Sequence, residues 1–333
     1  MSQKYNSDNN VQDAIRNMFS GSIPERKKEI DDFWSKYSMN FQIHSDNHTD
    51  GKYIFDAGMF KFIRFNHRVL RIFWIGSFAA MAGYIAINES LSKKLDEFNK
   101  KKDALLGKYY NAEVLSFPDK LALNTLQNKL AREISDHSTT NFILFDELIQ
   151  CFEHSTEDIL SDERPLPKGI PEPGALPNRE NDTINRATAE VAIIAAAWAF
   201  LHEVRHILHQ QEGTSYNPND FTEEEAHAEE LSCDEFATKF IIDNIDEYCK
   251  QSGYDPNLVR KKRQIAIYIA LFSLALLTKD NWESSKTHPS LKERMDRVQA
   301  ILKNPIDPDV ETIVASMFTA LRNTWPKVPC IEF

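Results

Sequence analysis

His202-Glu203-Val204-Arg205-His206 is where residue type and spacing in this chain first specify a chemistry. On a helix, positions i and i+4 stand one turn apart on the same face, so both imidazoles can grip one metal ion. Zinc suits such a pair, and the glutamate after the first histidine is then placed to take a proton from water. The bare pentapeptide also recurs by chance, so its surroundings must carry the argument.

Those surroundings read as a buried helix. Val191-Ala-Ile-Ile-Ala-Ala-Ala-Trp-Ala-Phe-Leu201 is apolar almost all round, rich in alanine, and free of Gly and Pro. Asp182-Thr183 offers a start, and Gln210-Gln211-Glu212-Gly213 offers a stop with a glycine to close it. Two buried histidines and a buried glutamate need partners, because unpaired polar groups in a core are costly. A metal ion supplies one.

A third ligand must come from elsewhere. The stretch from Glu223 to Ile242 predicts a second helix whose Ala226, Glu230, Cys233, Asp234, Ala237 and Ile241 share one otherwise small or apolar stripe. Glu230 and Asp234 on that stripe face inward, and Glu225 and Glu229 point away. A carboxylate on an apolar face is the anomaly to explain. Glu230 is therefore the candidate third ligand, with His227 at the stripe's edge as its competitor. Asp234, one turn on, is the candidate to hold the free ring nitrogen of a ligand histidine; an ordinary ion pair with Arg or Lys is its other reading. Downstream, Ser290-x-x-Glu293 forms a capping box after His288-Pro289. His288 in that loop, and Arg294 beyond it, are candidates to stabilise an oxyanion; His288 reads equally well as a surface turn residue.

Together these elements resemble gluzincin peptidases of the HtpX and CAAX-prenyl-protease type, in which H-E-x-x-H is followed by E-x-x-x-D and then by H-P-S…R. Here they read His202 to His206, Glu230-Leu-Ser-Cys-Asp234 and His288-Pro-Ser…Arg294. Those relatives span membranes several times. The region from about Ile170 to Ile301 resembles a soluble family better, the phage-exclusion peptidase Lit and its relatives. That resemblance implies a cytoplasmic zinc metalloendopeptidase that cuts an intracellular protein, a host translation factor among the candidates, in phage exclusion or a related defence role. It implies His202 and His206 as zinc ligands, Glu203 as base, and Glu230 as third ligand, with Glu229 taking that role if the helix register shifts.

Composition fits a soluble globular chain: 333 residues, 42% hydrophobic, 27% charged. A net charge of −11 with no basic stripe argues against nucleic acid as a partner. The four cysteines, Cys151, Cys233, Cys249 and Cys330, have no C-x-x-C spacing and suit a reducing compartment. The N-terminus has no apolar signal core, and the uncharged runs 72–88, 191–201 and 264–278 fall short of the roughly 20 residues that span a bilayer. Cytoplasmic location without stable membrane insertion is the expectation.

To position the site, the sequence predicts an α+β, mostly α, zincin-like fold with a buried active-site helix and a small antiparallel sheet. Residues 1–162 form an N-terminal helical region with Lys-flanked hairpins near 40–66, whose edge strand is the candidate to pair with substrate. Residues 163–180, with five prolines from Pro165 to Pro177, form a loop expected over the cleft. Residues 181–333 form the catalytic region. Two alternatives stand beside the peptidase: an inactive zincin-fold binding or sensor module, and a peptidase docked on a membrane through residues 72–88.

Overall fold

The computed structural model describes residues 12–13, 15–37, 41–44, 55–56, 63–106, 122, 140–156, 165–302 and 307–329. Among these residues, helical residues 15–22 and a 3-10 turn at Pro24–Arg26 lead into α1 Lys27–Tyr37, β1 Phe41–His44, β2 Phe55–Asp56, β3 Ile63–Asn66, α2 His67–Leu106, α3 Thr140–Thr156, α4 Thr183–Glu212, α5 Glu223–Ile242, α6 Ile245–Ser252, α7 Pro256–Leu277, α8 Leu291–Leu302 and α9 Pro308–Thr324.

The fold is a helical bundle, and the expected α+β class with a small antiparallel sheet is wrong. The described strands hold four, two and four residues, and β1 runs parallel to the central β3 rather than turning back on it. Only β2 and β3 are antiparallel, and no strand residue lines the cleft described below. Short aromatic alternation marks extended segments, but strand direction depends on partners distant in the chain, and local pattern does not encode it. The turns of the hairpins expected near 40–66 lie outside the described residues.

Helix α4 is the axis of the bundle and packs against α2, α5 and α7. Its 30 residues make it about 45 Å long. Asp182 caps its start by accepting from the Asn185 N–H, and Gly213 closes it in the left-handed region at φ 72°. Ala192, Ala195, Ala196 and Ile207 are fully buried, as the all-round apolar pattern requires. Small residues set the close approaches: a Cβ on Gly76 of α2 would come within 2.3 Å of Ser273 Oγ on α7.

On the face of α4 away from the cleft, Phe200 stacks on Phe19 at 4.7 Å and on Trp34 at 5.4 Å. This N-terminal segment is clipped to the bundle by a buried Glu25–Arg263 ion pair and by the Arg26 guanidinium over Phe240. The proline-rich segment docks at the opposite end of α4 from the H-E-x-x-H motif. There the Trp74 indole N–H donates to the Pro171 carbonyl and the Asn185 amide to that of Gly169. Asn185 lies 17 residues, about 25 Å, before His202 along the helix. The segment therefore does not cover the cleft, contrary to expectation.

Residues Arg68–Glu97 and Thr183–Glu212 are long and apolar enough to cross a membrane by length and composition, and each buries 78% of its most apolar window inside the bundle. A core helix passes the same test. The described cysteines, Cys151, Cys233 and Cys249, are buried thiols.

Candidate active site

Helices α4 and α5 bring the motif residues together. His202 and His206 place their Nε2 atoms 3.3 Å apart. Glu230 of α5 reaches across so that Oε2 lies 3.3 Å from His202 Nε2 and Oε1 3.3 Å from His206 Nε2. Two ligand atoms each about 2.0–2.1 Å from a tetrahedral zinc stand about 3.3 Å apart, which is the separation of the two Nε2 atoms, and the Glu230 carboxylate lies across both of them. His202, His206 and Cys233 form a second overlapping group with donor atoms within 4.8 Å of one another. Burial pushes the Cys233 thiol up to about 12, which keeps it neutral. The carboxylate of Glu230 is ionised and closer, and on both counts it is the better third donor.

Each histidine has its own acceptor for the ring nitrogen turned away from this point. His202 Nδ1 lies 2.9 Å from Asp234 Oδ1, and His206 Nδ1 lies 2.9 Å from Glu229 Oε1. An ionised carboxylate only accepts, so both Nδ1 atoms carry a proton, and the Nε2 atoms are the ones left to face a cation. Asp234 is completely buried and also accepts from Arg294 Nε at 2.8 Å and Nη2 at 2.7 Å. The two readings of Asp234, histidine holder and partner of a cation, are thus both true. Arg294 gives Nε and Nη2 to this pair, and its Nη1 lies 3.9 Å from Glu230 Oε2 at the edge of the cleft described below.

Glu229 was expected to point away from the stripe. It is buried, and besides His206 it accepts from the Tyr216 N–H at 2.9 Å and the Ser215 hydroxyl at 3.2 Å. Its position was within reach of sequence reasoning: two ligand histidines need two ring acceptors, and only one had been assigned. His227 is no ligand in this arrangement. Its Nε2 lies 2.7 Å from the Ser285 carbonyl, tying α5 to the loop that carries His288. His288 sits on the exposed rim with Nε2 3.5 Å from Glu230 Oε1 and Nδ1 2.8 Å from Thr287 Oγ1.

The electrostatics are those of a cation site. Burial works against charge on Glu230, yet its hydrogen bonds with His202 and His206 hold its pKa well below the ordinary value. Burial lowers the pKa of His202, and its hydrogen bonds to the Asp234 and Glu230 carboxylates more than reverse it. His206 is raised for the same reason, with Cys233, Glu229 and Glu230 as its partners. Positive charge at the meeting point of these groups is therefore favoured, as protons or as a metal ion.

The site opens into a cleft of about 980 Å³. Glu203, 8% exposed, lines it beside both histidines. Tyr216 and Ser215 form one flank, and Phe73, Trp198, Leu274 and Leu277 supply an apolar wall. An apolar cleft with a few convergent polar groups is the usual form of a substrate site.

The family model for Peptidase U49 matches residues 117–309, more than half of the chain and all of the site. The chain belongs to the Peptidase U49 family. The resemblance to the Lit peptidases read from the motifs holds at that level: this is a member of a peptidase family. No curated protein and no solved structure matches the chain.

Proposed function

We propose that this Peptidase U49 member is a zinc-dependent endopeptidase. The observation that carries the reading is the convergence of His202 Nε2 and His206 Nε2, 3.3 Å apart, on the Glu230 carboxylate, one oxygen 3.3 Å from each nitrogen, with each ring fixed from behind by a carboxylate. His202, His206 and Glu230 would hold the metal. A bound zinc ion supplies Lewis acidity and makes water nucleophilic at neutral pH. Glu203 then accepts the proton of the attacking water and passes it to the leaving amine. Asp234 and Glu229 fix the rings, and Arg294 fixes Asp234. His288 on the rim is a candidate donor to the substrate. Three protein donors leave a position for chemistry, and a glutamate beside the metal has no task in a site that is only structural.

The substrate in this proposal is an extended stretch of an intracellular protein in the cytoplasm, and phage exclusion or a related defence is the role that the likeness to Lit suggests. Neither nucleic acid nor stable membrane insertion is part of it.

Elemental mass spectrometry of the purified chain tests the metal. About one zinc per chain in the wild type, retained in Glu203→Gln and largely lost in Glu230→Ala, is the expected result. A wild type that takes up no zinc refutes the reading and leaves a binding module. Glu203→Gln should also lose hydrolysis of a substrate the wild type cuts, and full activity in that variant would refute the role of Glu203.

A further inference from the structure

The motif leaves one catalytic task without a well-held residue: donating a hydrogen bond to the carbonyl oxygen as it gains negative charge. His288 is 59% exposed on its rim loop, and Arg294 is held by Asp234 through Nε and Nη2 with its third nitrogen, Nη1, 3.9 Å from the carboxylate of Glu230. Donors that work best are fixed before the reaction and shielded from water.

Tyr216 meets that description. It lines the cleft with His202, Glu203, His206 and Glu230. Its backbone N–H donates to Glu229 Oε2, while the other oxygen of Glu229 holds His206 Nδ1. A single carboxylate thus ties the Tyr216 backbone to the His206 ring. The segment is fixed from three further sides: Gly213 turns the chain at the end of α4, Thr214 Oγ1 lies 2.7 Å from His209 Nδ1, and the Tyr216 ring packs on Phe221 at 4.7 Å. The phenol lies near enough to Glu229, Glu230 and His206 to feel their charges.

We infer that Tyr216 is a catalytic residue whose phenol donates to the developing oxyanion of the scissile carbonyl. The phenol keeps its proton throughout; the bond to the leaving nitrogen breaks with the proton that Glu203 delivers. This inference rests on the proposed zinc peptidase. Its position explains why Glu229 is buried and shared: the same side chain orients the metal-side imidazole and the donor that works beside it.

The test uses the zinc-loaded full chain and acetohydroxamate, whose carbonyl oxygen, carrying part of the anion's charge, takes the place of the scissile carbonyl oxygen and whose N–O⁻ takes that of the attacking water. Calorimetric affinity is compared between wild type and Tyr216→Phe, with zinc content and melting temperature measured on both. A charged hydrogen bond predicts binding about tenfold or more weaker in the variant, at unchanged zinc content and melting temperature. Equal affinity overturns the inference. Loss of zinc in Tyr216→Phe overturns it too, because the residue would then act on the architecture alone. A zinc-loaded wild type that does not bind acetohydroxamate overturns the open-site reading on which the inference stands, which is a different result from equal binding.

Discussion

Asp234 sits where fold stability and metal binding meet, so Asp234→Asn should move both. The aspartate accepts three hydrogen bonds, from His202 Nδ1 at 2.9 Å and from Arg294 at 2.7 and 2.8 Å, while itself fully buried. Asparagine keeps one oxygen. If that oxygen stays with His202, its amide nitrogen faces Arg294 Nε, and a charged hydrogen bond of about 1.5–3 kcal/mol is lost. Arg294, 7% exposed, also loses its main counter-ion, with only Glu230 left, 3.9 Å away. Breaking a buried pair from one side costs about 3–5 kcal/mol, and the remaining carboxylate places the expected loss near the low end. The bond to His202 survives without its charge, so zinc affinity should fall roughly tenfold, the lower bound for partners of metal-bound histidines. Urea unfolding in metal-free buffer measures the first effect, and competition with a chromophoric chelator measures the second. Adding Arg294→Met removes the stranded cation, so the double variant should recover about 2 kcal/mol relative to additivity. Stability within about 0.5 kcal/mol of wild type and an unchanged zinc affinity in Asp234→Asn would refute the reasoning.

Other perturbations reach other parts of the molecule. Glu229→Gln should weaken zinc binding about 10–100-fold, because His206 loses its charged acceptor; an unchanged chelator titration would count against the link. His227→Ala should leave zinc content at the wild-type level, since its ring nitrogen serves the Ser285 carbonyl; loss of zinc would return it to the ligand set. Gly76→Ala should cost about 1–3 kcal/mol in urea unfolding because its Cβ overlaps Ser273, and Ser273→Ala in the same chain should restore part of it. Burial opposes charge on Glu190, but hydrogen bonds from Lys262, Arg186 and Arg179 prevail and lower its pKa from 4.5 to about 2. A depressed folded-state value means that its stabilisation is present above pH 4.5 and fades as pH falls toward 2. Wild type should therefore lose its stability advantage over Glu190→Gln between pH 5 and pH 2, and a constant difference across that window would contradict the assignment.

What was readable in the sequence was periodic or local. The ends of α4 at Asp182 and Gly213 follow from residues within a few positions of each other. So does the inward stripe of α5, whose Ala226, Cys233, Asp234, Ala237 and Ile241 are all fully buried. Glu229 escaped that reading because a stripe has an edge. On a helix, residue 229 lies about 100° from residue 230, and whether it is buried depends on where the neighbouring helix crosses. The strands near residues 41–66 escaped it because alternation reports a half-buried extended segment and is silent about its partner and direction.

The sequence by itself determined the chemistry on offer: two imidazoles and a glutamate on one buried helix, and carboxylates on the inner face of the next. Only the tertiary structure decided the assignments. It gave Glu230 the place between the two Nε2 atoms, Asp234 and Glu229 one ring each, and Arg294 to Asp234. Those partners lie 23 to 60 residues apart. Side-chain periodicity fixes which face a residue occupies, whereas the angle and offset at which two helices pack decide which atoms on those faces meet.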